Sequence, residues 1–392
     1  MALARTYSVA LVGVHGHLVE VEADIASGLP ATILVGLPDT ALREARDRIR
    51  AAIVNSGETW PNSKITVGLS PATLPKRGSG FDLAIAVAIL AAAEAVPAAG
   101  LAGKIFLAEL GLDGRLRPVP GVLPAVVAAE GGVDTVVVAA QNVAEAALVP
   151  GVQAIGASSL MEVISWLRGG PPPSLPAVPE PPPGPAPALA MAKKLDLAEV
   201  LGQTEARLAA EICAAGGHNL SLLGPPGAGK TMLAERLPTI LPPLDTAAAI
   251  EVTSIHSVAG HLTPGSGLMT VPPFCAPHHT SSMAAIVGGG SGVIRPGAAS
   301  LAHLGILFLD EAPEFHRDVL DALRQPLESG EVVIARAGTQ AVFPARLRAA
   351  HRPAVLRAAP HVVDGRDRRR RQRRCHPPGR GEPGAPGNPL PG

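Results

Sequence analysis

Apolar positions in the first 168 residues fall into short runs and helical repeats, which together predict an α/β domain. A helix is predicted from Thr40 to Asn55, because its charged and apolar positions lie on opposite sides and Asp39 precedes it as a cap. Residues 81–93 are almost continuously apolar, which predicts a buried helix. Short apolar runs predict seven strands, at residues 9–14, 18–23, 32–35, 65–69, 105–110, 135–139 and 152–155.

A proline-rich segment at residues 171–187 interrupts these patterns. Such a segment buries little apolar surface and is typical of an extended linker, so we expect the chain to divide there. Beyond it, the spacing predicts a helix at 204–215, a strand at 220–223, loops at 256–304, a strand at 306–309, a helix at 316–329 and a hairpin of residues 331–337 and 340–344. The second part is therefore also predicted to be α/β.

The apolar run at 220–223 leads directly into GPPGAGKT, which matches the phosphate-binding pattern G-x-x-x-x-G-K-[ST]. In such a loop the backbone amides surround a phosphate, the lysine reaches the β and γ phosphates, and the hydroxyl binds Mg²⁺. A glycine- and proline-rich turn before a helix is the plainer alternative. The candidate ATP-binding residues are Gly224, Pro225, Pro226, Gly227, Ala228, Gly229, Lys230 and Thr231.

The predicted strand at 306–309 ends in two acids, Asp310 and Glu311. Asp310 is predicted to hold Mg²⁺ together with Thr231. Glu311 is predicted to polarise the attacking water as a general base, so Glu311 and Lys230 are the candidate catalytic residues. A buried strand ends in two acids by chance often enough, but the pair gains specificity from the phosphate loop that precedes it.

Composition alters the picture at the C-terminal end of the chain. The formal net charge is zero, yet residues 345–392 hold 12 arginines, no lysine and three acids. The tail is also rich in proline and glycine, so we expect disorder and interpret it as a frame-shifted or truncated ending. The three cysteines are widely spaced and the apolar run at the start is short. We therefore expect a cytoplasmic protein without a signal peptide or a membrane partner.

Several stretches resemble the YifB/ComM family of Mg-chelatase-like AAA+ ATPases, among them GILFLDEAPEFHRDVLDALRQPLESGEVVIARA. The resemblance implies a Lon-protease-like (S5-like) α/β domain followed by a P-loop AAA+ domain, here without a normal lid. It also implies ATP and Mg²⁺ as cofactors, DNA as a partner, a homo-hexameric ring, and branch migration in the ComM branch. The hairpin at 331–344 would match the one that lines the ring pore. The matching residues are 36–57, 70–90, 110–124, 216–244, 275–290 and 305–337.

The resemblance also sets the expected domains. They are a Lon-like domain at 1–168, a linker at 169–192, an AAA+ core at 193–346 and a disordered tail at 347–392. Because the sensor strand and lid of the family are not recognisable after residue 346, we expect ATP binding to persist and hydrolysis to be weak or absent.

A Lon-like domain raises the question of a Ser/Lys peptidase. The position that matches the Lon nucleophile falls on Gly80, one residue after Ser79. The position of the base falls near Leu123 and Pro124, where no lysine is present. A hydroxyl without a base stays protonated and weakly nucleophilic, so we do not expect protease activity.

Four further residues are weaker candidates. Cys275 and His278 have the spacing of half a metal site, but a structural zinc site needs four ligands, so a role in the loop is expected. Arg336 is equally a phosphate contact or a solvated strand residue, and Arg324 is interpreted as a helix surface residue.

Three functions stay open: a motor on DNA, a catalytically weak nucleotide-binding remnant, and a chelatase-type motor subunit. The Lon-like domain favours the first over the third, since chelatase motor subunits lack it.

Overall fold

A computed structural model describes residues 2–36, 40–129, 132–173, 195–225, 227–263, 265–290, 294–336 and 339–346. The predicted cap Asp39, Pro226, most of the proline-rich segment and the tail from residue 347 lie outside the described residues. The side chains of residues 40–43 and of Arg336 are not described either. The predictions that concern them stay predictions.

Residues 2–173, hereafter the N-terminal half, are built on one continuous sheet. Its helices are α1 (Thr40–Asn55), α2 (Asp82–Ala92), α3 (Val122–Val127), α4 (Val143–Ala146) and α5 (Leu160–Leu167). Its strands are β1 (Ala2–Val12), β2 (His15–Ala26), β3 (Ala31–Val35), β4 (Lys64–Ser70), β5 (Lys104–Leu107), β6 (Glu109–Leu110), β7 (Leu116–Arg117), β8 (Thr135–Ala139) and β9 (Gln153–Ala157). Seven of them form a mixed sheet in the order β3-β4-β2-β1-β5-β8-β9.

The pairing in this sheet is long, and the core lies on both of its faces. β1 pairs antiparallel with β2 over 11 residues, and β5, β8 and β9 continue the sheet in parallel. Every residue of α2 is buried, as its unbroken apolar sequence predicts. On α1, Ala45, Ile49 and Ile53 are buried, so the apolar side of that helix faces the core as expected.

Residues 195–346, hereafter the C-terminal half, contain shorter elements. The helices are α6 (Thr204–Gly216), α7 (Lys230–Arg236), α8 (Thr246–Ala259), α9 (Met283–Ile286), α10 (Ala298–Leu301), α11 (Arg317–Ala322) and α12 (Arg324–Ser329). The strands are β10 (Phe274–Cys275), β11 (Gly288–Gly289), β12 (Arg295–Pro296), β13 (Ile306–Leu307), β14 (Glu331–Arg336) and β15 (Thr339–Pro344). They pair two by two: β10 with β13, β11 with β12, and β14 with β15.

The predicted α/β class and the hairpin at 331–344 are confirmed, and strands lie at all seven predicted places in the N-terminal half, where the predicted strand at 105–110 is divided into β5 and β6. Three local predictions are wrong. Residues 220–223 form no strand, since β13 pairs with β10 instead. β13 itself covers only Ile306–Leu307 of the predicted 306–309. The predicted helix at 316–329 is two helices, because Pro326 has no N–H to bond the preceding turn and is tolerated only near a helix start.

The two halves touch along α3 and at the turn between β1 and β2. Ser257 at the end of α8 donates a hydrogen bond to Glu145 of α4, whose carboxylate also accepts from Leu123 N at 2.8 Å. The β1–β2 turn approaches β15 closely enough that a Cβ on Gly13 would lie 2.3 Å from Val342 O. Among the described residues, no helix is both long and apolar enough to cross a lipid bilayer.

Candidate nucleotide-binding site

The candidate phosphate loop ends at α7, and Gly229 is the residue that turns the chain into that helix. Its φ is +81°, in the left-handed region that favours glycine. A Cβ there would lie 3.0 Å from Gln203 Nε2 and 3.1 Å from Met232 Cε, so a larger residue would also have to displace those two side chains slightly. Gln203 Nε2 donates to Ala228 O at 3.0 Å and so supports the loop from outside the motif. No sequence signal pointed to Gln203.

Lys230 is the first residue of α7, and its side chain folds back over the loop. Its Nζ donates to Gly224 O at 2.9 Å and to Pro225 O at 3.2 Å. The ammonium group is therefore held beside the backbone that the motif assigns to phosphate binding. This is the position from which a lysine serves phosphate oxygens.

Thr231 and Asp310 are far apart in the chain but adjacent in space. Thr231 Oγ1 donates to Asp310 Oδ2 at 3.1 Å, and Glu311 N donates to Asp310 Oδ1 at 3.0 Å. Mg²⁺ prefers oxygen ligands and is usually held by one or two protein groups plus phosphate oxygens and water. In the described part of the chain, no group of three or more His, Cys, Asp or Glu side chains could hold a metal. The hydroxyl–carboxylate pair therefore fits Mg²⁺ that arrives with a nucleotide.

Strand pairing brings Asp310 to this place. β10 and β13 run parallel, with Phe274 opposite Ile306 and Cys275 opposite Leu307. The rings of Phe274 and Phe308 stack, with their centroids 6.0 Å apart. Phe308 is buried beside Leu233 of α7 in one apolar cluster. The residues after β13 are thus fixed against the helix that carries Thr231.

Arg236, the last residue of α7, is a further buried support that the sequence did not reveal. It donates to Asp196 O at 3.1 Å, to Met232 O at 3.0 Å and to Glu199 Oε2 at 2.9 Å. The contacts with Asp196 and Glu199 tie α7 to the segment that opens the C-terminal half. They join residues 40 and 37 positions apart, so no local sequence pattern predicts them.

Glu311 lies at the end of the β13 segment in an unusual backbone conformation. Its φ is +51°, which is uncommon for a residue other than glycine. Its side chain is 65% exposed, and Oε2 lies 3.4 Å from His279 Nδ1. Strain of this kind is concentrated at functional sites. The carboxylate is accessible to water, as a general base must be.

Relatives of the chain match most of its length. The competence protein ComM of Haemophilus influenzae is 46% identical over 349 residues, which cover 89% of this chain and 68% of that protein. The chain belongs to the YifB/ComM family. An uncharacterised YifB protein of Escherichia coli is 42% identical over 348 residues, 89% of this chain and 67% of that protein. An uncharacterised protein of Mycobacterium tuberculosis is 53% identical over 354 residues, 89% of this chain and 68% of that protein.

Two family models match as well. The model described as magnesium chelatase, subunit ChlI, covers residues 196–360, and the model described as subunit ChlI of Mg-chelatase covers residues 21–142. The Lon-like plus AAA+ architecture that the resemblance implied for a YifB/ComM protein is thereby confirmed. The first match continues past residue 346, where we expected the resemblance to stop.

In this YifB/ComM protein, and within the residues that the structure describes, Cys275 and His278 belong to no group of three or more His, Cys, Asp or Glu side chains that could hold a metal. Burial raises the pKa of the Cys275 thiol to about 12, so without a metal the thiol stays protonated at neutral pH. His278 Nδ1 lies 2.9 Å from Thr280 Oγ1, within its own loop. Both observations support the expected role in the loop.

The region that matches the Lon nucleophile loop likewise offers no serine–lysine pair among the contacts of the described residues. Ser79 Oγ donates to the carboxylate of Glu109. Lys76 is fully buried and donates to Pro71 O. Leu123 and Pro124, at the base position, are buried in α3. The expectation that the chain is not a protease stays a prediction.

Of the two candidate arginines, the structure describes the side chain of Arg324 only. Arg324 is exposed and lies 3.1 Å from Asp321 on the preceding helix. That contact agrees with its interpretation as a helix surface residue.

Proposed function

We propose that this chain binds ATP with Mg²⁺ at a site of the kind that hydrolyses ATP to drive a motor, with slow turnover because the lid of the family is not recognisable after residue 346. The observation that carries the proposal is the 3.1 Å contact between Thr231 and Asp310, which joins the phosphate loop to the acidic strand end. A phosphate loop that is specific by itself thus meets an acidic strand end that is a weak motif when taken alone. Membership of the YifB/ComM family supports the same assignment.

Each residue of the site has a role in this proposal. Lys230 binds the β and γ phosphates, and the loop amides of residues 224–231 surround them. Thr231 and Asp310 hold Mg²⁺, which when bound shields the phosphate charge. Glu311 accepts the proton of the attacking water, a role that typically contributes about 10²–10⁴-fold in rate.

The mechanical target in this proposal is DNA, handled by a homo-hexameric ring. A relative that is 46% identical is named a competence protein, which supports a role in the processing of foreign DNA. The β14–β15 hairpin, with six residue pairs, is the longest strand pairing in the described C-terminal half. A hairpin with this many paired residues suits a contact with a DNA strand that moves through the pore of the ring.

A chelatase-type motor subunit is the second candidate, and one observation favours it. Both family models carry the description of a magnesium chelatase subunit, and one of them covers residues 21–142. Our expectation that the N-terminal domain argues against a chelatase is therefore weakened. Stimulation of ATP hydrolysis by DNA favours the motor on DNA, and its absence favours the chelatase type.

Calorimetry of ATP·Mg binding tests the site. Lys230→Ala should lower the affinity about 10- to 100-fold, since hydrogen bonds to charged groups contribute about 1.5–3 kcal/mol. Lys64→Ala, which removes an exposed lysine on β4, is the matched control and should bind as the wild type does. Equal affinities of the wild type and the Lys230→Ala variant would overturn the assignment.

Release of labelled phosphate under single-turnover conditions tests hydrolysis, including slow hydrolysis. Glu311→Gln should abolish the release while ATP·Mg binding persists, because the amide cannot accept the proton. Release that is insensitive to this substitution would exclude Glu311 as the base. The same assay with and without branched and linear DNA separates the two candidate functions.

A further inference from the structure

His279 is the residue of the C-x-x-H-H sequence that neither the metal hypothesis nor the proposed site uses. It follows β10, while Glu311 follows β13, and these two strands are parallel neighbours. Phe308 N donates to Cys275 O at 2.8 Å, which extends the pairing beyond the assigned strands. The segments that leave the same edge of both strands therefore run side by side. This places His279 next to Glu311.

The contact itself joins His279 Nδ1 and Glu311 Oε2 at 3.4 Å. The imidazole is not free to swing: it lies against the ring of His278, with the centroids 4.1 Å apart. His278 is in turn fixed by Thr280, whose backbone N–H donates to His278 Nδ1 at 3.3 Å. The side chain of His279 is 30% exposed, whereas that of Glu311 is 65% exposed. The histidine is the better-held partner.

Glu311 needs such a partner. Its backbone is fixed by the left-handed φ and by the bond from its N–H to Asp310, but its side chain is long and mostly exposed. A long exposed carboxylate samples several rotamers, and only some present an oxygen to the attacking water. A catalytic base is commonly oriented by a third group that binds its far side. In the described residues, His279 is the group that meets this carboxylate.

We propose that His279 is a positioning residue for the base of the ATP site: it binds Oε2 of Glu311 and leaves Oε1 to accept the proton of water. The inference rests on the proposed function for its consequence, but the contact itself is testable without ATP. Glu311 is then oriented from the β10 side, and Asp310 and Thr231 from the α7 side. The histidine acts through Glu311 and does not touch the nucleotide.

Histidine-selective ¹⁵N spectra of the full chain without nucleotide test the contact. The His279 ring signals are assigned by their loss in His279→Asn, and Glu311→Gln should shift them. Glu314→Gln, three residues further along, is the control and should leave them unchanged. Ring signals of His279 that are identical in the wild type and Glu311→Gln would overturn the proposal.

Single-turnover hydrolysis tests the consequence. His279→Ala should lower the rate by about 10²-fold, the loss typical of a misplaced catalytic group, with unchanged ATP·Mg affinity. His279→Asn should recover part of the rate, because its amide N–H lies near the place of the imidazole Nδ1. His17→Ala, at an exposed histidine of β2, is the control.

The possible failures are distinguishable. If Lys230→Ala retains ATP binding, the proposed site is wrong whatever His279 does. If the wild type binds ATP·Mg and hydrolyses it in a Glu311-dependent way, and His279→Ala is as fast as the wild type, only the inference about His279 is wrong. A faster rate in His279→Ala would also overturn it, since the histidine would then restrain the base. If the wild type hydrolyses nothing, the spectra alone decide.

Discussion

The two halves of the molecule are stabilised in different ways. In the N-terminal half, a fully buried α2 packs against a seven-stranded sheet with pairings of up to 11 residues. In the C-terminal half, four of the six strands have two residues each, and the candidate site is held by single side-chain contacts such as those of Arg236 and Gln203. A continuous sheet resists local opening, whereas short elements open separately. The half proposed to work with ATP is the more loosely connected one.

Removing one buried ring from each half should give the largest effect and expose this difference. Phe106 is fully buried on β5 in the centre of the sheet, so Phe106→Ala should lower the free energy of unfolding by about 3–5 kcal/mol. Phe308→Ala should cost less in global stability but should weaken ATP·Mg binding, because Phe308 fixes the segment that carries Asp310. Urea unfolding and calorimetry measure the two quantities.

Leu112→Ala, at a residue that is 58% exposed, serves as the control for both. If Phe308→Ala unfolds the whole chain as Phe106→Ala does, the halves are a single cooperative unit and the contrast is wrong.

The difference between the halves also decides what the sequence could predict. Short apolar runs located the seven strands and a 3.6-residue period located α1, because burial in this half follows the local sequence. The run at 220–223 looks like a strand by the same criterion, yet it has no partner in the structure. Whether an apolar run pairs depends on residues far away in the chain, which periodicity does not report.

In the candidate site, the residues with a motif were predictable and their supports were not. Lys230, Thr231, Asp310 and Glu311 could be selected because phosphate and Mg²⁺ chemistry restricts the residue types and their spacing. The approach of Thr231 to Asp310 across 79 positions depends on the fold. His279 was visible only as part of a half metal site, and the structure places it against Glu311 instead.

Two carboxylates, one in each half, should respond to pH in opposite ways. Burial raises the pKa of Asp82 from 3.8 to about 6, although Arg48 opposes the shift. The folded state then binds more protons than the unfolded state, so its stability should fall by about 3 kcal/mol as pH rises from 3.8 to about 6. Asp82→Asn should remove this slope in urea unfolding at a series of pH values. Asp113→Asn, at an exposed acid, should leave it unchanged.

In the C-terminal half, the approach of His303 Nε2, 3.3 Å from Glu251 Oε1, and the hydrogen bonds from Arg346 lower the pKa of Glu251 to about 2. The stability that this group adds is complete above its unfolded pKa of 4.5 and is lost as pH falls towards 2. Glu251→Gln should flatten the acid side of the same curve. A wild-type curve that rises steadily from pH 2 to pH 6, and that neither substitution alters, would contradict both assignments.

A further effect is expected at the junction between the halves. Gly13 has a φ of +66°, and a Cβ there would lie 2.3 Å from Val342 O of the hairpin. Gly57 has a φ of +83° with nothing within 4 Å, so it is a matched control for backbone strain alone. Gly57→Ala should cost about 1–2 kcal/mol, and Gly13→Ala about 1–3 kcal/mol more through the clash.

Hydrogen exchange of the β14–β15 amides shows whether Gly13→Ala destabilises the hairpin. Faster exchange in Gly13→Ala but not in Gly57→Ala would mean that the N-terminal half supports the hairpin. Equal exchange in the two variants would show that the hairpin is stable without that contact.

The smallest effect is predicted for Arg324, and a failure there would be the most informative. Its side chain is 75% exposed and its contact is Asp321, three residues earlier. Exposed pairs of this kind contribute about 0–0.5 kcal/mol, so Arg324→Ala should leave the free energy of unfolding within about 0.5 kcal/mol of the wild type. ATP·Mg affinity and single-turnover rate should not change either. Suppose instead that the rate fell at protein concentrations that favour a ring, while stability and affinity stayed constant. Arg324 would then act on the nucleotide of a neighbouring subunit, because within its own chain it contacts only the helix surface at Asp321 among the described residues. Its interpretation as a helix surface residue would be wrong.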